Sequence, residues 1–433
     1  MPLHRRALFA GLGAGLSATL LPAFRADAGA ALAEASRSAG DRTPSELAGE
    51  EAYWSQIARA FDVDRTLVNL NNGGCSPAPA HVLEAMIRDL RFSNEMPVYH
   101  MWNVLEPRIE SARRELAAEF GCDLEEMAIV RNASEALETL ILGIDLKAGD
   151  EVVVTNQNYP RMITTWKQRE RRDGIVLKQI SFPVPPPSSA DVVERFRQAI
   201  TPRTRVIEVT HITNLTGQIL PVRDIVAMAR PKGIEVFVDG AHAFAHFPFR
   251  RDQLDCDYYG TSLHKWLTAP IGTGFLYVRK EKIPGIWPMM AAPPEMNGNI
   301  RKFEEIGTHP AANHNAVSEA VTFYQQIGAE RKAARLRFLR DRWFQRLGPL
   351  PGVKILTSTD PAQGCGLASF TPGTLDVGKV VGYLWDKHRI IVTPINHPEF
   401  HCIRVTPNVY TTLAEVDRFN DAMETVMKKG LPA

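Results

Sequence analysis

Between residues 128 and 239 the chain repeats one pattern: a short run of mainly aliphatic, often β-branched residues, then a segment of helical periodicity. The runs are Ala128–Val130, Glu151–Thr155, Ile175–Ile180, Val206–Thr210 and Ile234–Asp239. Between them lie helical segments at Ser134–Gly143, Met162–Arg172, Ser189–Ile200 and Val222–Ala229. Strands this short and apolar, separated by helices, need both faces covered, which predicts a mainly parallel α/β sheet. A further strand is expected at Phe275–Val278. In sheets of this kind ligands bind beyond the carboxyl ends of the strands, so the residues just after each run become the candidates.

The flanks read differently. Residues 31–65 read as a flexible lead-in followed by one helix, Ser45–Phe61. Asn71-Asn72-Gly73-Gly74 marks a loop before a helix that opens near Pro77 and Pro79 and runs to Arg91. A further helix is expected over Leu105–Phe120, stopped by Gly121. Asn315–Leu347 reads as a long helix, and from Val353 onward the order strand, helix, strand, strand, helix indicates a smaller α+β domain. The predicted division is 66–314 for the large domain and 315–433 for the small one.

The first thirty residues resemble an address rather than a fold. Arg5-Arg6 precede eighteen uncharged, Ala/Gly/Leu-rich residues, Ala7 to Phe24, and small residues follow in an A-x-A pattern. This predicts a signal peptide over 1–30, the twin-arginine export machinery as a partner, and a periplasmic location. Once the segment is cleaved, no stable membrane association is expected. The Gly11-Leu12-Gly13-Ala14-Gly15 run lies inside that segment with no strand before it, so it is not a dinucleotide loop. With 50 Lys+Arg against 49 Asp+Glu the chain is nearly neutral, which gives no footprint for nucleic acid. Its five Cys form no C-x-x-C pair, which removes zinc ribbons.

Two strand ends carry specific chemistry. Asp239 closes E-V-F-V-D, and Lys265 follows 26 residues later in T-S-L-H-K-W. A carboxylate for a pyridine nitrogen and a lysine for an aldehyde carbon are what pyridoxal phosphate requires. The helix start after Asn132-Ala133-Ser134 can hold a phosphate dianion through N–H groups and the helix dipole.

V-D-G-A-H at 238–242 and G-T-S-L-H-K-W at 260–266 resemble the class V aminotransferases, which are fold-type I pyridoxal-phosphate enzymes. R-N-A-S-E-A at 131–136, N-Q-N-Y at 156–159, H-I-T-N-L-T-G-Q-I-L-P at 211–221 and F-E-E-I-G-T at 303–308 follow in the family's order. The resemblance is strongest to the isopenicillin N epimerase-like branch, which includes exported enzymes that modify pyoverdine siderophores. It implies a large domain with a mainly parallel seven-stranded sheet, a small C-terminal α+β domain, and a homodimer with shared active sites. It also implies roles. Lys265 carries the cofactor and moves the Cα proton, Asp239 pairs with the ring nitrogen, and His242 bonds the phenolic oxygen. Tyr159 stacks on the ring. Ala133, Ser134, Ser262 and His264 surround the phosphate, and Thr308 reaches the phosphate of the neighbouring subunit. Asn214 lies near the phenolic oxygen and the substrate, and Arg404 grips a substrate α-carboxylate. The expected activity is transamination at the α-carbon of an amino acid or peptidyl amino group, for instance on a secreted natural product or siderophore precursor. Epimerisation and C–S lysis share the same core.

Other readings compete. Cysteine desulfurases carry a Cys on a mobile loop, but the corresponding stretch, Pro394 to His401, has none, and Cys402 reads as a buried strand residue. His242 and His246 stand four apart, as do His397 and His401, a spacing that could serve a metal-dependent periplasmic hydrolase. No H-E-x-x-H occurs, however. Gly260 to His264 resembles a serine-hydrolase elbow without its last Gly. The Met- and aromatic-rich segment Asn94 to Trp102 is a candidate lining for the substrate entrance.

Overall fold

The computed structural model describes residues 34–432 apart from Ser36, so the expected signal segment lies outside the described residues. Thirteen strands occur among these residues. In chain order they are β1 (Val68–Asn69), β2 (Met127–Val130), β3 (Glu151–Thr155), β4 (Val176–Ile180), β5 (Thr204–Thr210), β6 (Glu235–Asp239), β7 (Tyr258–Ser262), β8 (Gly274–Val278), β9 (Val353–Ile355), β10 (Ala368–Pro372), β11 (Ile390–Ile391), β12 (Thr393–His397) and β13 (Phe400–Val405).

Seven of them form the large sheet, in the order β2-β8-β7-β6-β5-β3-β4. All pairings are parallel except those of β8, which runs antiparallel to both β2 and β7. β2, β3, β7 and β8 are buried along their whole length, as expected for strands covered on both sides. One apolar cluster, including Phe120, Phe196, Val209 and Phe275, fills one side of the sheet. A second, including Leu137, Leu140, Trp166 and Phe237, fills the other. β7 went unread in the sequence because Y-Y-G-T-S lacks an aliphatic run, although it carries part of the motif ending at Lys265.

The smaller sheet is antiparallel, in the order β12-β13-β10-β9. β10 was missed in the sequence. The expectation that everything from residue 66 joins the large domain does not hold for β1. It pairs in parallel with β11, and Val68 and Leu70 pack with Trp343, Phe370 and Phe419 in the small domain's core. The chain therefore touches the small domain first and only then enters the large sheet.

Several helices break where one was expected. Pro44–Ala48 and Glu51–Ala58 replace the single helix over 45–61, and Thr43 rather than Ser45 is the cap, in a capping box with Glu46. The lead-in is packed where it is described: Ala35 and Ala39 are fully buried with Trp54 and Phe323. The segment over 105–120 is a π turn at His100–Leu105, a 3-10 turn at Glu106–Arg108 and an α-helix at Ile109–Phe120. Pro107 interrupts the ladder there. The long helix over 315–347 is cut at Gly328, whose φ of 87° a side chain would resist, leaving Val317–Ile327 and Ala329–Leu347. No helix among the described residues is long and apolar enough to cross a membrane.

Candidate active site

Five parallel strands of the large sheet deliver their ends to one place. The residues after β2, β3, β5, β6 and β7 line a cavity of about 350 Å³. Ala133, Ser134, Tyr159, Asn214, Asp239, His242, Ser262, His264 and Lys265 all face it, together with Gly74, Thr210 and Arg161. The gathering follows from sheet topology, because parallel strands in register present their carboxyl ends on one edge.

Lys265 sits in the turn between β7 and β8. Its Nζ lies 3.3 Å from His242 Nε2. Burial pulls its ammonium down to about 8, against a partial upward pull from Asp239. Asp239 is buried, and one of its oxygens, Oδ1, accepts the Ala241 N–H at 2.9 Å. Burial raises its proton affinity, while the Ala241 hydrogen bond and Lys265 oppose that rise. His242 is buried and held neutral by desolvation and then by the nearby Lys265, and its Nδ1 meets no partner in the chain.

The helix Ala133–Gly143 begins at the cavity wall. Asn132 caps it by accepting the Glu135 N–H at 3.0 Å, and the Ala133 N–H donates to Ser262 Oγ at 2.9 Å. Helix start and Ser262 hydroxyl thus form one polar cradle, in which the helix ladder does not use the Ser134 N–H. His264 Nδ1 faces the Thr273 carbonyl at 3.3 Å.

Arg404 reaches the site from β13 without lining the cavity itself. Its guanidinium donates to the Asn214 carbonyl at 3.0 Å, to Asn71 Oδ1 at 2.8 Å and to Thr393 Oγ1 at 3.2 Å. Its Nε has no partner, and burial lowers the group to about 10. Asn71 went unnoticed as a site residue. Its signal was the N-N-G-G loop directly after a short strand, where β1 and β13 converge.

Thr308 is exposed and away from this chain's own cavity, and its expected place is at the site of a neighbouring subunit. The expected entrance lining is not met within this chain: Met96, Val98, Tyr99 and Trp102 are exposed and none of them lines the cavity. The metal reading also fails on geometry. His246 Nδ1 faces the His242 carbonyl at 2.8 Å, its Nε2 accepts the Gly366 N–H at 3.0 Å, and its ring stacks on Trp266 at 3.5 Å. Both nitrogens are therefore engaged. Cys402 is fully buried, its thiol pushed up to about 12 by desolvation.

The cavity suits an aromatic phosphate. Thr210 Oγ1, Asn214 Oδ1 and His242 Nδ1 are buried polar atoms without partners in the chain, an arrangement too costly to keep unless a ligand satisfies them.

Residues 68–419 match the family model for class V aminotransferases. The chain belongs to the class V aminotransferase family. The family is pyridoxal-phosphate dependent, and the cradle, Asp239 and Lys265 supply the three attachments that this cofactor needs. Among curated relatives, the chain is 29% identical to the isopenicillin N epimerase of Streptomyces clavuligerus over 87% of its own length and 98% of that enzyme's. It is 30% identical to that of Amycolatopsis lactamdurans over 87% and 99%. A probable cysteine desulfurase of Synechocystis is 26% identical over 84% of this chain and 91% of that enzyme. Among solved structures, the cysteine desulfurase of Thermococcus onnurineus superposes with a TM-score of 0.75 at 22% identity, covering 87% of this chain and 98% of that one. Class V membership therefore joins the fold and the cavity, and the likeness to the solved desulfurase structure is one of fold.

Proposed function

We propose that this chain is an exported pyridoxal-phosphate enzyme acting at the α-carbon of an amino acid or peptidyl amino group, as an aminotransferase-type catalyst. The observation that carries the reading is Lys265 Nζ at 3.3 Å from His242 Nε2, in one cavity with the buried Asp239. Bound there, pyridoxal phosphate supplies an electron sink for the carbon bearing the amino group.

The residues divide the work. The helix start at Ala133–Ser134, with Ser262 and His264, holds the phosphate, and Thr308 belongs to the cradle of a partner subunit in a homodimer. Tyr159, with about 40% of its surface exposed at the cavity rim, covers the ring face. The Asp239 oxygen not used by Ala241 holds a protonated ring nitrogen. His242 and Asn214 face the phenolic oxygen through their unpartnered atoms. Arg404 fixes the substrate α-carboxylate. Lys265 titrates at about 8, so near neutrality it can take the Cα proton and give it back.

Epimerisation is the second reading, favoured by the two epimerase relatives matched over nearly their whole length. The two differ in where the proton returns. Arg5-Arg6 and the apolar run after them support export to the periplasm. A siderophore precursor fits that location.

One experiment tests the core. The purified protein with added cofactor should turn yellow, and borohydride should fix the cofactor's mass on Lys265. A protein that stays colourless refutes the reading. Incubation with amino donors in deuterium oxide then separates the branches. Keto acid with loss of colour marks transamination, and Cα deuterium with colour kept marks epimerisation.

A further inference from the structure

Arg161 lines the same cavity as Lys265 and Asp239, yet no role described so far uses it. It sits in the first turn of the helix Pro160–Asp173, two residues after Tyr159. That is a poor place for a cation. The N-terminus of a helix carries partial positive charge, which favours acidic residues there. This first turn contains no acidic residue, and Tyr159 makes no side-chain cap. Two of the three other arginines of the helix, Arg169 and Arg172, pair with Asp173, and the third, Arg171, stands in the last turn, where the helix dipole favours a cation. Arg161 is exposed and forms no ion pair with any described residue.

The charge around the cavity sharpens the point. Its one lining carboxylate is Asp239, which is buried and already bonded to the Ala241 N–H. Arg404 meets only neutral acceptors. The helix start at Ala133–Ser134, Ser262 and His264 already make up a phosphate cradle. Two guanidiniums from different elements, β13 and the helix Pro160–Asp173, are thus left without carboxylate partners.

We propose that Arg161 binds a second anionic group on the substrate, so that this site takes amino compounds bearing an acidic group in addition to their α-carboxylate. The inference rests on the reading of the site as a cofactor-dependent amine site. It adds the substrate class and assigns a specificity residue. The guanidinium would meet the distal carboxylate through charge-assisted hydrogen bonds at the cavity mouth.

The test uses the loaded enzyme and two isosteric probes, L-glutamate and L-glutamine. The readout is the concentration at which each probe perturbs the cofactor spectrum. The expected result is roughly tenfold tighter binding of the acidic probe. Arg161→Gln should bring the ratio of the two constants to about one, and Arg161→Lys should keep part of it. Equal affinities for the two probes in the unaltered enzyme would overturn the inference while leaving the amine-site reading intact. So would an Arg161→Gln variant that binds the cofactor more weakly yet, once saturated with it, keeps the ratio of the unaltered enzyme, since that places Arg161 on the phosphate. If neither probe perturbs the spectrum of a yellow enzyme, the amine-site reading falls and this inference falls with it.

Discussion

Replacing Asp239 with Asn should pull apart two properties that move together in most active-site variants. Asn has nearly the same shape, and its carbonyl oxygen can still accept the Ala241 N–H, so the fold should persist. The charge, however, is gone. In the native protein that charge holds the Lys265 ammonium up, against the burial that lowers it from 10.5 to about 8. Without Asp239 only the downward influences on Lys265 dominate, so the lysine should titrate below about 8. The size of the native effect is large. A lysine titrating at about 8 rather than 10.5 carries roughly 300 times more neutral amine at pH 7. The neutral amine is the nucleophile that captures the cofactor aldehyde. Capture by the cofactor-free enzyme, followed by stopped-flow absorbance across pH, should therefore rise with pH and level off above about 8. In the Asn variant the plateau should begin at lower pH. Turnover should meanwhile fall by roughly 10²-fold or more, because the ring nitrogen has lost its charged partner. A capture rate that climbs without a break to 10.5 would refute the account of Lys265, as would a plateau that moves to higher pH in the variant.

Further expectations rest on other parts of the structure. Arg404→Ala should raise KM for α-carboxylate substrates roughly 10- to 100-fold, and Arg404→Lys should recover only part, since a point charge cannot fork; steady-state kinetics with an amino acid and its decarboxylated amine checks this. Lys332 is buried, donates to the Trp266 carbonyl beside Lys265, and is lowered to about 7 by desolvation. Between about 7 and 10.5 the unfolded state binds a proton that the native state does not, so this group makes stability rise with pH by up to about 1.4 kcal/mol per pH unit. Lys332→Met should flatten that slope in urea titrations, and an unchanged slope would contradict the placement. A Cβ at Gly274 would stand 2.5 Å from the Thr261 carbonyl oxygen and 2.7 Å from Asn132 Cα. Gly274→Ala should therefore push back the start of the phosphate helix and weaken cofactor affinity, measurable by equilibrium dialysis.

The large sheet was legible because its central strands are continuous apolar runs; Asp239 closes such a run and Ala133–Ser134 follow one, whereas Ser262, His264 and Lys265 were legible through the T-S-L-H-K-W motif and the family resemblance. Residues whose identity reflects position rather than hydrophobicity were harder to read. β7 escaped because Tyr258, Tyr259 and Gly260 make no aliphatic signal, and β1 was misassigned because its partner, β11, lies more than 300 positions away. Asn71 escaped for the same reason: it meets Arg404 and Thr393, more than 300 positions away. Arg161 escaped because nothing but its place two residues after Tyr159 marks it. The helix break at Gly328 follows from its positive φ, a signal lost when only apolar spacing is counted.

The reversed strand β8 has a consequence for how this enzyme can vary. Four of the five cavity-lining strand ends lead into helices or long crossovers, where an added residue can be absorbed by the connection. Lys265, with His264, instead stands on a loop, 263–273, that returns into the neighbouring strand, with Ser262 paired to Gly274 at its mouth. The loop is pinned at both ends, like a staple. Insertions between Leu263 and Thr273 would lengthen the staple and let the lysine wander, whereas equal insertions after the other strands would leave the reacting nitrogen where it is. Apart from His264 and Lys265, length matters more than identity along this segment.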